Sequence, residues 1–171
     1  MNKDYAIIAG GCFWCTEAIF ENVEGVISVY PGYIGGNYEN PSYEQVCSGK
    51  TGHAEAVKIE YNTSKICFKK ILDIFFKTHD PTTLNRQGND VGTQYRSAIF
   101  YSNESKFEIA NKKIYELQEH YENKIVTTLE KETKFYIAEE YHHKYFSKNP
   151  YSAYCFAVIK PKVEKFKSNL K

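Results

Sequence analysis

No apolar run in this sequence approaches the roughly 20 residues that a membrane-spanning helix needs. The start, MNKDYAIIAGG, has a charged pair and then too short an apolar stretch for a secretory signal. Charge of one sign is also missing: 22 Lys and Arg face 21 Asp and Glu, for a net charge of +1. That balance offers nothing to a nucleic-acid scaffold or to a binder of acidic substrates, and the mild basic bias after Lys160 reads as a solvated end. There is no internal repeat, low-complexity segment or Pro/Ser/Gly-rich linker, so residues 1–171 are expected to form one domain. Cysteine is sparse and odd in number, at 12, 15, 47, 67 and 155. Without a secretion signal that argues against a disulfide framework and leaves redox or metal chemistry. A cytoplasmic monomer without membrane or nucleic-acid partners is the expectation.

What is present is a succession of strand and helix patterns. Tyr5 to Ala9 reads as a buried strand ending at Gly10-Gly11, and a helix from Phe13 carries Ala18, Ile19, Phe20 and Val23 before Gly25 stops it. Val26 to Tyr33 reads as a strand, followed by a long Gly/Asn/Pro-rich loop with a helical turn. Ala54 to Tyr61 alternates as a strand and Phe68 to Lys77 has an amphipathic stripe. A second polar loop, His79 to Gln94, leads to a strand over Tyr95 to Tyr101, a helix over Ser105 to Glu122 and a strand over Ile125 to Glu130. Ala138 to Phe146 suggests a short helix or turn and Cys155 to Ile159 a late strand. The order predicts an α+β two-layer sandwich, with a mixed or antiparallel sheet, a ferredoxin-like βαββαβ core and long loops available for function.

The chemistry concentrates in GGCFWC, residues 10 to 15. Zinc would need four ligands, and Cys47, Cys67 and Cys155 are singletons without a CxxC or HxxxH partner. Cys12 stands where a Gly-Gly turn feeds a helix, a place where unpaired N–H groups favour a thiolate and lower its pKa. Cys15 lies one turn on, within reach of a disulfide. The spacing alone equally suits a thioredoxin-like disulfide oxidoreductase. The bulky Phe13 and Trp14 instead form apolar walls suited to a small group such as a methyl thioether. A non-enzymatic binding module is the blander alternative. His79, His142 and His143 are dispersed and read as structural, and no metal is assigned.

Beyond the cysteine pair, three long segments carry a family resemblance: GYIGGNYENPSYEQVCSGKTGHAEAVKIEY (32 to 61), HDPTTLNRQGNDVGTQYRSAIFY (79 to 101) and FYIAEEYHHKYFSKNP (135 to 150). With GCFWC they resemble the peptide methionine sulfoxide reductase A family over essentially the whole chain. The resemblance implies reduction of methionine S-sulfoxide, protein-bound or free, with Cys12 as nucleophile. It also implies Glu55 of GHAEAV as the acid, and Tyr43 and Tyr95 as the hydroxyls that hold the sulfoxide oxygen. Asp90 of RQGND follows as an acid close to the nucleophile, with Phe13 and Trp14 binding the substrate. A protonated Glu55 requires burial against apolar surface, which Phe13 and Trp14 can supply.

No cofactor is expected. Attack by Cys12 leaves a sulfenic acid, and a second thiol then forms a disulfide that thioredoxin or a similar dithiol reduces. Many relatives resolve this step from a glycine-rich C-terminal tail, which is absent here. Cys15 is therefore the first choice on proximity and Cys155 the second, with Cys47 and Cys67 structural.

Overall fold

The computed structural model describes residues 2–170. Its first half repeats a strand-helix-strand theme. β1 (Lys3–Ala9) runs into α1 (Phe13–Phe20), then β2 (Val26–Ile34), a short α2 (Tyr43–Cys47) inside the first long loop, β3 (Ala54–Asn62) and α3 (Phe68–Lys77). The second long loop contains a small hairpin, β4 (Arg86–Gln87) and β5 (Asp90–Val91), and a 3₁₀ turn at Thr93–Tyr95. β6 (Ala98–Tyr101), α4 (Glu104–Gln118), β7 (Thr128–Lys131) and β8 (Tyr136–Ile137) complete the sheet. A 3₁₀ turn at Glu140–His142, α5 (Tyr145–Lys148), a π-helical turn at Cys155–Ile159 and α6 (Lys160–Asn169) follow.

Six strands lie in the order β7-β6-β1-β3-β2-β8. The pairs are antiparallel except β6 with β7, which is parallel across the α4 crossover, so the sheet is mixed. Its inner four strands, in chain order β1, β2, β3 and β6, interleave as 4-1-3-2, the expected βαββαβ arrangement.

Burial on both faces explains why β1 reads as a near-continuous apolar run from Tyr5 to Ala9. Ala6 and Ile8 of β1, with Val57, Ile59 and Tyr61 of β3, meet the helices. Ile7 and Ala9, with Ala54 and Ala56, enter a smaller cluster with Ile34, Ala98 and Phe100 on the other face. α3 buries one stripe, sealing Phe68, Ile71, Leu72 and Phe75 against the helix-side core, whereas α1 is buried nearly all round, with only Trp14 partly exposed. Among the described residues no helix is long and apolar enough to cross a membrane.

Two expectations change. The Cys155 to Ile159 segment is helical rather than a strand: Cys155, Ile159, Val163 and Phe166 are all buried, at helical spacing, so the apolar run continues the stripe of α6. Tyr95 belongs to the 3₁₀ turn after Gly92, and the strand begins only at Ala98.

Candidate active site

The Gly-Gly turn after β1 sets the geometry. Gly11 adopts φ +88° and its N–H donates to the Tyr95 carbonyl at 3.2 Å, tying the start of α1 to the 3₁₀ turn that carries Tyr95. A Cβ on Gly11 would lie 2.7 Å from Gln87 Cγ, so only glycine fits beneath that side chain. Cys12 is then the N-cap of α1 in extended conformation, and its side chain makes no capping hydrogen bond.

Burial overturns the expected depression of its pKa. Cys12 is only 8% exposed, and desolvation, with the Glu55 and Cys15 groups adding to it, pushes the thiol well above its ordinary range. The Trp14 N–H opposes the shift without reversing it. All five cysteines are free thiols.

Glu55 projects from β3 on the same side as Val57, Ile59 and Tyr61, so it points under α1. It is 1% exposed, Oε1 accepts the Phe13 N–H at 3.1 Å, and Oε2 has no partner among the described residues. Desolvation raises its pKa to about 8, the Phe13 N–H opposing and Asp90 adding. The carboxyl is therefore largely protonated at neutral pH, with one oxygen left to act.

Tyr43 opens α2, where Ser42 and Gln45 form a capping box, and its N–H donates to Glu139 Oε2 at 2.9 Å. The other Glu139 oxygen accepts from the Tyr33 hydroxyl at 2.8 Å. Burial followed by the nearby Glu55 raises the pKa values of Tyr43 and Tyr95, so both remain hydrogen-bond donors. The Cys47 thiol sits close to both phenols; burial raises its pKa above the ordinary thiol value, and the hydrogen bonds with Tyr43 and Tyr95 only partly oppose the shift.

Phe13 and Trp14 line an aromatic socket. The Phe13 ring lies 5.7 Å from Tyr33, 6.5 Å from Tyr43 and 5.0 Å from His142. Trp14 stacks on Tyr145 at 3.7 Å and 6°. Its indole N–H donates to His142 Nδ1 at 3.0 Å.

Cys15 is buried, its thiol raised to about 11 chiefly by desolvation, and its Sγ touches the Tyr154 hydroxyl at 3.9 Å. That hydroxyl donates to Asp90 Oδ2 at 2.6 Å. Tyr154 is thus a clasp between the C-terminal segment, the thiol pair and the β4/β5 hairpin. Cys155, next in the chain, is fully buried and lies near enough to influence the Cys15 thiol.

The structure brings Cys12, Phe13, Trp14, Cys15, Tyr43, Glu55, Asp90, Tyr95 and Cys155 into one region. Sequence reading did not single out Tyr154 or Glu139, and it gave His142 as structural. His142 is fully buried in the aromatic socket, kept neutral by burial with a pKa of about 4. His79 and His143 are structural, bonded to the Phe75 carbonyl and Ser97 hydroxyl and to the Ala138 carbonyl respectively. The exposed Cys67 caps α3, away from these groups.

Cys12, Glu55, Tyr43 and Tyr95 all keep their protons here. Sulfur can therefore attack one atom while hydroxyl and carboxyl protons meet the oxygen bonded to it, which is the chemistry of a thiol-dependent reductase. The family model described as Peptide methionine sulfoxide reductase matches residues 4–171. Over 167 residues the chain is 58% identical to Peptide methionine sulfoxide reductase MsrA 1 of Rhodopirellula baltica, covering 98% of this chain and 87% of that protein. It is similar to the crystal structure of Mxr1 from Saccharomyces cerevisiae in reduced form, with a TM-score of 0.84 and 39% identity over 90% of each chain. Mxr1 in complex with Trx2 matches with a TM-score of 0.60 and 28% identity, over 84% of this chain and 85% of that one. The chain belongs to the peptide methionine sulfoxide reductase family.

Proposed function

We propose that the chain reduces methionine S-sulfoxide, in proteins and as the free amino acid, with Cys12 as nucleophile and Glu55 as proton donor. The observation that carries this reading is the buried Glu55 carboxyl, fixed by the Phe13 N–H directly after Cys12 and kept protonated by desolvation. A sulfoxide sulfur accepts a nucleophile only as its oxygen gains a proton, and Tyr43 and Tyr95 supply further donors for that oxygen. The methyl group rests against Phe13 and Trp14. Asp90 takes no part in bond making; it holds Tyr154 against the thiol pair.

The Cys12 sulfur bonds to the sulfoxide sulfur as the sulfoxide oxygen gains protons from the Cys12 thiol and from Glu55. That S–S bond and the S–O bond then break as the oxygen passes to the Cys12 sulfur, the electron pair leaves with the thioether methionine and a proton returns to Glu55, so that thiol plus sulfoxide become Cys12–SOH plus thioether. A second thiol then attacks the sulfenic sulfur, forming the S–S bond and releasing the hydroxyl as water. Cys15 is the preferred resolver because it stands on the same helix turn, with Cys155 the alternative. Thioredoxin or a similar dithiol reduces the disulfide, a step supported by the similarity to Mxr1 solved with Trx2. Residues 1–171 act as one reductase domain, an assignment supported by the unbroken family match from 4 to 171. A cycle that must return to free thiols suits the reducing cytoplasm.

Single turnover tests this. Fully reduced protein is mixed with each pure sulfoxide epimer, without recycling reductant, and methionine and disulfide-linked peptides are quantified. Methionine from the S epimer with a Cys12–Cys15 bridge is expected. A Cys12–Cys155 bridge would transfer resolution to the C-terminal segment, and no methionine from either epimer would overturn the reductase reading.

A further inference from the structure

Glu17 is a carboxylate without an obvious reason to be where it is. It sits inside α1, one turn beyond Phe13, and is 1% exposed. No salt bridge among the described residues holds it. Its Oε1 accepts the backbone N–H of Lys144 at 2.9 Å, and its Oε2 is buried without a partner. An apolar residue would suit the helix better, since an unpaired buried carboxylate is costly.

The partner it chose explains the arrangement. Lys144 is a non-glycine residue in the left-handed region, φ +54° and ψ +37°, and forms the N-cap of α5. Such a conformation persists only when its surroundings impose it. Two residues before Lys144 is His142, which accepts the Trp14 indole N–H; directly after it is Tyr145, which stacks on the same indole. The strained residue is the joint between the two groups that fix Trp14.

We infer that Glu17 is a positioning residue: its carboxylate pins the left-handed turn at Lys144 and so holds His142 and Tyr145 against Trp14, setting the shape of the aromatic socket. The inference rests on the substrate-binding role proposed above for that socket, but the geometry it predicts is readable without substrate. Protonation weakens the carboxylate as an acceptor, so the pin loosens as pH falls. Desolvation raises the Glu17 pKa to about 7, the Lys144 N–H opposing and Glu21 adding. The cleft that Glu17 lines also carries Tyr30 from β2, Glu140, His143, Lys144 and Lys148 from the facing segment, and Lys167 from α6.

Trp14 is the only tryptophan, so its emission reports the joint directly. Glu17→Gln keeps the shape and removes the titration; Glu17→Ala removes the acceptor. In the wild-type protein Trp14 emission should titrate between pH 6 and 8 with a midpoint near 7, and this transition should vanish in E17Q. A transition from Glu55 would lie near 8 and persist. In E17A, emission should shift to the red at every pH and the sulfoxide KM should rise about tenfold with kcat within about twofold. A merely structural role predicts a lower melting temperature with wild-type Trp14 emission. Should E17A not fold, E17Q decides alone: an unchanged pH profile of Trp14 emission in that variant overturns the inference. Absence of sulfoxide turnover in the wild type would instead strike the function proposed above, leaving the emission titration to judge Glu17.

Discussion

Glu55 and Cys12 are neighbouring acids that burial keeps protonated, yet the proposed reaction asks both to give their protons up. That makes Glu55→Gln the most informative single substitution. Glutamine keeps an acceptor for the Phe13 N–H but cannot donate a proton as an acid, so kcat/KM should fall about 10²–10⁴-fold. The wild-type activity that declines as pH rises through about 8 should lose that limb in the variant, measured as kcat/KM from pH 6 to 9.5. A disulfide-exchange enzyme would keep its rate. Nothing in the strand pattern alone marked Glu55 as buried, since both Ala54 and Ala56 beside it are buried on the opposite face; its burial was expected only from the acid role that the family resemblance implies, and the structure places it on the helix side with Val57, Ile59 and Tyr61. Cys12 was less legible, because its helix-start setting argues for a thiolate and only the packed structure shows the desolvation that outweighs it. Tyr154 and His142 gave no local sign, since their partners lie far along the chain: Trp14 is 128 residues from His142, and Cys15 and Asp90 are 139 and 64 residues from Tyr154.

Among the elements, the segment from Tyr151 to Ile159 departs most from its sequence pattern. CFAVI is rich enough in β-branched and aromatic residues to suggest a strand, but the stripe of Cys155, Ile159, Val163 and Phe166 runs on into α6. The regular core elements were readable because periodicity and glycine stops agreed there. The two long loops were readable as loops, while the hairpin within 86–91 was not, being only two residues per strand. One hydroxyl links this C-terminal segment to the hairpin, the Tyr154 donor to Asp90. A hydrogen bond to a charged group contributes about 1.5–3 kcal/mol. Tyr154→Phe should therefore raise the alkylation rate of the otherwise buried Cys155 by roughly 10–100-fold, with little change at exposed Cys67, as read by iodoacetamide labelling and peptide mass. Equal rates in both proteins would show that the clasp does not limit opening.

For the whole molecule, the raised carboxyls couple the site to global stability. Glu55 binds its proton more tightly folded than unfolded, with its pKa at about 8 against an ordinary 4.5. Stability from this group is complete below pH 4.5 and is lost as pH rises to about 8, at up to about 1.4 kcal/mol per pH unit. Glu17 adds the same sign between 4.5 and about 7. Urea unfolding at pH 5, 7 and 8.5 should show wild-type stability falling and E55Q falling less, so that the variant is less active yet more stable above neutrality. The 4-1-3-2 sheet makes this coupling direct, because β3 runs between β1 and β2 and cannot release Glu55 without disturbing its centre. The concealment of Cys12 has a further consequence. Sulfoxides arise where peroxides are present, and peroxides consume thiolates rather than thiols. A nucleophile that stays protonated until a polarised sulfoxide fills its pocket is a poor target for the oxidant whose damage it reverses, so the repair agent outlives the insult.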